Sequence, residues 1–457
     1  MRSDSILIPE DAVHEEIKRK LEEIDWINGN EEFGIKEKAT IDYILWDVLK
    51  ERIQEINKSL FLSLTEEQEE KAFEIIKSEL EIADEVRMLE YLKHGITINV
   101  RGRNDRIILI DYENPENNVF FYLHEARFSG FPQNVEPDFT LFMNGIPVAI
   151  IEAKPTDVVG SENEALNQIR RYEIYSPELF RFVQLAVAYG NRKLYTPTYP
   201  NFGRTERHTP AFSWKVNGRD EIFDLLTPSR FLEVLRYFTF FFKKQEKGAR
   251  RIKVIARWNQ YRAVKRIIER IENYINGRDR KNKGLIWHWQ GSGKTFILFF
   301  VANYFLTNHK DKAPVVFFVV DRENLETQHA GVFKSVEDVE FTSYFKVIRN
   351  IDELKERVSE IIKSLETGNI IPTGLYITTI QKFQLKKFQD FVEEIDGRIV
   401  PKKVVDKKEV LFLIDEAHRT QYGKLASVMR TIFQKPDLDL PLKSLGKQIS
   451  FRIPKLL

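Results

Sequence analysis

Short, strongly apolar runs recur along this chain, and several of them break off abruptly into charged or glycine-rich residues. This constrains the fold more than any other feature. A buried strand can expose polar groups only where it ends, so the chemistry-bearing residues belong at sheet ends. One such place is Pro147-Val148-Ala149-Ile150-Ile151, which runs into Glu152-Ala153-Lys154. A second is Leu285-Ile286-Trp287-His288-Trp289, which runs into Gln290-Gly291-Ser292-Gly293-Lys294-Thr295. A third is Val410 to Ile414, which runs into Asp415-Glu416-Ala417-His418.

The 457 residues allow about three domains of ~150 residues each, and 42% hydrophobic residues with 34 Phe supply ample core. The net charge of +1 gives no global basic field, so any nucleic-acid surface must be a local patch. The absence of cysteine excludes disulfides, cysteine-ligated zinc and thiol nucleophiles, and fits a reducing, cytoplasmic setting. With only eight His, no zinc cluster and no Ser/His/Asp triad is evident. Apart from the very short run Ile6-Leu7-Ile8 the N-terminus is polar, and no apolar run reaches the roughly 20 residues of a membrane span. Neither a signal peptide nor a transmembrane segment is expected.

Periodicity places helices at Pro9 to Ile24, with Asp11 as N-cap, at Ile41 to Ile56 and at Thr65 to Lys93. The period then changes. Ile96 to Val100, Arg106 to Ile110, Val119 to Leu123, Phe139 to Met143 and Pro147 to Ile151 read as an antiparallel meander, with Asn144-Gly145 as a hairpin turn. A helix at Glu162 to Tyr175 and a strand at Val183 to Ala188 complete an α/β layer arrangement. Thr196 to Phe212 reads as a loop and Ser229 to Phe242 as a helix. The basic run Lys243 to Lys253 reads as a linker at a domain boundary or as a solvated helix end. After it, Gly284 to Trp289, Val315 to Val320, Leu375 to Thr379 and Val410 to Ile414, separated by helices, predict a buried parallel sheet.

Glu136-Pro137-Asp138 forms a turn just before one strand, and Glu152 and Lys154 lie two apart on the next, so their side chains share a sheet face. The hairpin brings Asp138 and Glu152 to one sheet end. Two carboxylates with water and phosphate oxygens suit Mg²⁺, and Lys154 beside them can orient a metal-bound water and stabilise a phosphoryl transition state. Gln168 and Tyr172, four apart on a helix, share a face from which they could bond a DNA backbone or brace the loop. A Glu and a Lys on a strand also commonly form a solvated face. Glu15 or Glu16 on the first helix could add an acidic group, though surface charge is the simpler reading.

Gly291-Ser292-Gly293-Lys294-Thr295, between a strand and a helix start, lets backbone N–H groups approach phosphate oxygens. Lys294 should reach the β- and γ-phosphates of ATP, and Thr295 and Asp415 should hold Mg²⁺, with Glu416 orienting the attacking water. Gln260, upstream of the loop, could read the adenine edge or stand as an exposed helix residue. Asp321-Arg322 and Thr378-Thr379-Ile380-Gln381 sit at strand C-termini, the ligand-binding rim of such sheets.

Together these residues resemble the restriction (R) subunit of type I restriction-modification enzymes. Asp138, Glu152, Lys154, Gln168 and Tyr172 match that family's PD-(D/E)xK nuclease. Gln260, Gly291 to Thr295, Asp321-Arg322, Thr378 to Gln381 and Asp415 to His418 match a superfamily 2 translocase, and Gln421-Tyr422-Gly423 is similar to the family as well. The resemblance implies a restriction-endonuclease-like domain over residues 1–245 and a RecA-like P-loop lobe over residues 246–434. It implies an ATP-dependent type I site-specific deoxyribonuclease that translocates and cuts unmethylated double-stranded DNA together with methyltransferase and specificity subunits.

The sequence departs from the family pattern over residues 435–457, where no Thr-Gly-Thr-Pro-like motif follows and Pro436, Pro441 and Pro454 recur. On that reading a second motor lobe is absent, and ATP binding with little turnover is expected. Two other readings stand beside this one: a stand-alone helicase-nuclease of DNA repair, and a non-catalytic remnant that binds the methyltransferase core.

Overall fold

The computed structural model describes residues 9–201, 210–243, 251–286, 293–367, 369, 373–395, 398–402, 409–415 and 424–433. They form two compact units, the first running to Phe241 and taking in Ile252–Trp258, the second comprising Phe242–Arg251 and the residues from Asn259 on. Among the described residues no helix is long and apolar enough to cross a membrane.

The first unit begins with α1 (Glu10–Glu22), β1 (Ile27–Asn28), α2 (Gly29–Glu32), α3 (Trp46–Ile56), α4 (Lys58–Phe61), α5 (Glu66–Ile82) and α6 (Glu85–His94). It continues with β2 (Ile96–Ile98), β3 (Asp105–Ile107), β4 (Phe120–His124), β5 (Phe139–Met143), β6 (Ile146–Ala153), α7 (Ser161–Tyr175), β7 (Leu185–Tyr189) and β8 (Lys193–Pro197). Val13, Ile17 and Leu21, four apart, give α1 the buried stripe its spacing predicts. Its N-cap is Pro9 rather than Asp11, which falls in the first turn where a carboxylate favours the helix dipole.

Three helical expectations are corrected by local or tertiary hydrogen bonds. The expected helix from Thr65 to Lys93 is two, because the Asp84 side chain accepts the Arg87 N–H and restarts the helix after an extended Ala83. The expected helix from Ile41 starts only at Trp46. Ile41 N–H is taken by Arg127 O and Leu45 N–H by Gly145 O, which holds the segment extended. The helix expected over Ser229 to Phe242 ends at Phe238 and becomes a strand, Thr239–Lys243.

A six-stranded sheet in the order β1-β4-β5-β6-β7-β8 carries the unit. The strands β4, β5 and β6 form the expected meander, but β2 and β3 pair only with each other and lie outside it. Both turn residues of the β5–β6 hairpin have positive φ, Asn144 at 54° and Gly145 at 86°, which gives the twist such a two-residue turn needs. A Cβ on Gly145 would lie 2.6 Å from Leu45 O, so glycine is also required sterically. The helix α7 crosses over between the parallel strands β6 and β7, and Ala165, Leu166 and Ile169 join Phe121, Phe142, Ile150, Ala186 and Ala188 in one core. Every residue of β6 is buried, Glu152 included.

In the second unit four parallel strands run in the order Phe345–Val347, Gly374–Thr379, Val315–Val320, Val410–Ile414. This is the buried parallel sheet the apolar runs predict. Of the four strands expected, Gly284 to Trp289 is not among those seen, since Gly284 to Ile286 has no regular structure and 287–289 lie outside the described residues; the short strand Phe345–Val347 was not expected. The helix Lys294–Asn308 buries nearly all of Ile297 to Leu306, as expected for a helix enclosed on most sides.

Candidate functional site

At the C-terminal end of β6 the structure brings together four of the five residues expected there by side-chain contact, and Asp138 through the backbone. The Asp138 carboxylate accepts the Ala153 N–H at 2.6 Å, pinning the pre-β5 turn to the strand that carries Glu152. Lys154 Nζ lies 3.1 Å from Glu152 Oε1, donates to Ala153 O at 2.7 Å, and reaches Glu10 Oε1 on α1 at 2.9 Å. Tyr172 OH donates to Glu136 O at 2.9 Å and accepts from Gln168 Nε2 at 2.6 Å. The α7 pair therefore braces the Glu136-Pro137-Asp138 turn from behind.

The electrostatics are those of a cluster short of positive charge. Glu152 is pushed up to about 8, first by burial and then by the neighbouring Asp138, with Lys154 opposing. Burial alone would lower Lys154, but Glu152, Glu10 and Asp138 outweigh it and hold the ammonium above its ordinary value. Burial, then Glu152, raises Tyr172, so its hydroxyl stays protonated.

Two histidines that the sequence reading passed over join this cluster. His14 Nε2 lies 3.7 Å from Asp138 Oδ2, and His14 Nδ1 lies 3.1 Å from His124 Nε2. Potential ligand atoms of Glu10, His14 and Asp138 fall within 4.8 Å of one another, as do those of His14, His124 and Glu125. The sequence shows no zinc cluster, and this pairing is not legible in it, because α1 and the end of β4 bring together residues 110 apart. The acidic group that α1 contributes is Glu10, not Glu15 or Glu16. Glu15 pairs with Lys18, and Glu16 accepts from Tyr189 OH at 3.0 Å. Glu10 and His14 sit four apart on one helix face, the single signal that could have found them.

A divalent cation fits these residues. Glu152 Oε2 and His14 Nε2 are buried without a hydrogen-bond partner, and Glu152 cannot readily ionise there without added positive charge. Asp138, Glu152 and His14 would hold it, with Glu10 in reach. Oxygen donors suit Mg²⁺, and the imidazole widens the set toward Mn²⁺.

In the second unit Asp321-Arg322, Thr378 to Gln381 and Asp415 lie at strand ends, while Gln260 sits on the helix Trp258–Ile275. Gln260 is buried, not exposed, and its Nε2 lies 3.5 Å from Gly293 O. Gly293 has φ of 80°, and Lys294 and Thr295 open the helix that follows. Asp415 follows Val410–Ile414, its N–H bonded to Val319 O, and its Oδ2 lies 2.8 Å from Nε2 of the buried His329. Gln381 Nε2 donates to Asp321 O, and Asp321, Arg322, Thr379 and Gln381 line one cavity at the strand C-termini. Gly291, Ser292, Glu416, Ala417-His418 and Gln421-Tyr422-Gly423 lie outside the described residues, as do residues 435–457.

Comparison with known proteins bears on both units. Residues 8–203 match the family model described as type I restriction enzyme R protein N terminus, and residues 259–438 match that of the SWI2/SNF2 ATPase. Two relatives come from Methanocaldococcus jannaschii. The putative type I restriction enzyme MjaVIIIP endonuclease subunit is 41% identical over 93% of this chain and 41% of its own length. The putative MjaVIIP endonuclease subunit is 41% identical over 76% of this chain and 40% of its own length. The type I restriction enzyme HindI endonuclease subunit of Haemophilus influenzae is 27% identical over 75% of this chain and 31% of its length. The chain spans about two fifths of the length of the first two of these relatives. From its first matched residues to the P-loop unit, the chain belongs to the family of type I restriction enzyme R (endonuclease) subunits.

Proposed function

We propose that this chain supplies the nuclease and the first motor lobe of a type I restriction enzyme, cutting double-stranded DNA with Mg²⁺ and coupling to ATP-dependent translocation. In this reading residues 1–245 form a restriction-endonuclease-like domain and residues 246–434 a RecA-like lobe. Methyltransferase and specificity subunits are the partners, unmethylated DNA is the substrate and the cytoplasm is the setting. The observation that carries it is the fully buried Glu152, pushed up to about 8, beside Asp138 and Lys154 at the end of β6. Burying one acid fully beside a second, partly buried one, with a single lysine, costs stability unless the site serves a cation or a reaction.

The residues divide the work. Asp138, Glu152 and His14 hold the cation, which when bound supplies a water of lowered pKa and neutralises phosphate charge. Lys154 donates a hydrogen bond to that water or to a phosphate oxygen and offsets charge in the transition state. Gln168 and Tyr172 keep Asp138 in place through Glu136 O. In the motor lobe Gly291 to Thr295 would cradle the ATP phosphates, with Lys294 on the terminal phosphates and Thr295 and Asp415 at Mg²⁺. Glu416 would orient water, and Gln260, held beside Gly293, would meet the base.

The test is cleavage of supercoiled plasmid by the chain and by Lys154→Ala, with Mg²⁺, with and without ATP and the companion subunits. Cutting that needs Lys154, ATP and the companions is the expected result. Cutting that ignores the companions would point to a stand-alone nuclease, and undiminished cutting by Lys154→Ala would remove the assignment of the site.

A further inference from the structure

We propose that Glu37 and His124 form a relay that fixes the ring of His14 so that its Nε2 lone pair is the nitrogen ligand of the cation site; this rests on the nuclease reading above. Three segments meet in it: His14 from α1, His124 from the last position of β4, and Glu37 from the loop after α2. Glu37 Oε1 lies 2.5 Å from His124 Nδ1, and His124 Nε2 lies 3.1 Å from His14 Nδ1. Both histidines are buried.

The hydrogen-bond inventory decides the direction of the chain. An ionised carboxylate only accepts, so His124 Nδ1 carries the hydrogen given to Glu37. A neutral imidazole has one N–H, so His124 Nε2 is then an acceptor and takes the hydrogen of His14 Nδ1. His14 is left with Nε2 as its bare nitrogen, and Nε2 is the buried atom without a hydrogen-bond partner, 3.7 Å from Asp138 Oδ2. Metal-bound histidines commonly donate their second N–H to a fixed acceptor, which sets ring tautomer and orientation. Here the acceptor is a second histidine, itself set by a carboxylate.

Packing holds the relay in register. The two rings meet edge-on, 5.1 Å between centroids and 83° between planes, and Phe139 packs against both. Asn30 Oδ1 accepts the His124 backbone N–H at 2.8 Å, fixing the strand end from α2. The hydrogen bond from His124, and then the charge of Lys18 with its Nζ 3.7 Å from Oε1, hold the Glu37 carboxyl below its ordinary value and favour the ionised form.

The test uses the full chain, stripped of metal and titrated with Mn²⁺ by calorimetry, together with long-range ¹H–¹⁵N spectra of histidine-labelled protein. His124→Phe should weaken Mn²⁺ about 10- to 100-fold and move the His14 hydrogen from Nδ1 toward Nε2 in the metal-free spectrum. His124→Gln, whose side-chain carbonyl can still accept from His14 Nδ1, should recover much of the affinity. Glu37→Ala, at a half-exposed side chain, removes the acceptor for His124 Nδ1 and should act in the same direction as His124→Phe; it serves where that variant fails to fold.

Unchanged Mn²⁺ affinity and an unchanged His14 tautomer in His124→Phe and Glu37→Ala would overturn the relay. Loss of one whole equivalent of Mn²⁺ with the remaining affinity intact would also overturn it, making the histidine pair a ligand set of its own. If His14→Ala and Glu152→Gln bind Mn²⁺ as the parent does, the cation-site reading is what fails. If those two weaken binding and the His124 and Glu37 variants do not, only the relay fails.

Discussion

Lys154 Nζ lies 3.1 Å from Oε1 of Glu152, a carboxylate with no exposed surface. One cation against a buried acid and a second carboxylate nearby leaves the site undercharged, and four measurable consequences follow from this and from the elements that build the site.

The first concerns pH. Glu152 titrates near 8 in the folded chain against 4.5 for an ordinary glutamate. Between those values the native state keeps a proton that the unfolded chain has lost. Metal-free stability from this group is therefore fully present below about pH 4.5 and is lost as pH rises through about 8. Chelator-treated protein should melt at lower temperature at pH 8.5 than at pH 6, and Glu152→Gln should flatten that difference. Saturating Mg²⁺ or Mn²⁺ should raise the melting temperature of the parent most at the higher pH. A pH profile identical in parent and variant would count against the buried acid.

The second concerns the brace on the Asp138 turn. Tyr172→Phe deletes the bond to Glu136 O and the acceptor for Gln168. Urea unfolding should show a loss of about 1 kcal/mol, and plasmid cleavage should fall at least tenfold because Asp138 loses its support. Cleavage at the parental rate would mean that Asp138 is held by Ala153 N–H alone.

The third concerns the hairpin. Gly145→Ala must place a Cβ 2.6 Å from Leu45 O at φ of 86°. A destabilisation of about 2 kcal/mol or more is expected in urea. A smaller effect would show that the Thr40–Leu45 segment yields easily.

The fourth concerns the motor unit. His329 Nε2 contacts Asp415 Oδ2 at 2.8 Å and orients a carboxylate proposed to hold Mg²⁺. His329→Ala should weaken binding of a fluorescent Mg²⁺–ATP analogue about tenfold or more, with little change when Mg²⁺ is omitted. Equal weakening in both conditions would assign His329 a structural role in the unit instead.

Much of this was legible in the sequence because it depended on local chemistry. The strands Phe139–Met143, Val315–Val320 and Val410–Ile414 have the bounds that their apolar runs predict. Asn144-Gly145 turns because two adjacent positive φ values suit those residues, and that turn alone sets Asp138 beside the strand of Glu152. The hydrogen bond of Gln168 to Tyr172 follows from four-residue helical spacing.

Tertiary structure decided the rest, wherever a hydrogen bond or a charge came from a distant segment. It held Ile41 to Leu45 extended against Arg127 and Gly145 although their spacing suits a helix, and it kept β2 and β3 out of the main sheet. It chose Glu10 and His14 from an acidic helix because the orientation of α1 against β6, not helix periodicity, determines which face meets the site. It set His124 against His14 and Glu37 by packing α1 and the loop after α2 on the end of β4, which no local pattern encodes. Residue spacing along one element is written in the sequence, but the distance between elements is fixed only when the core closes.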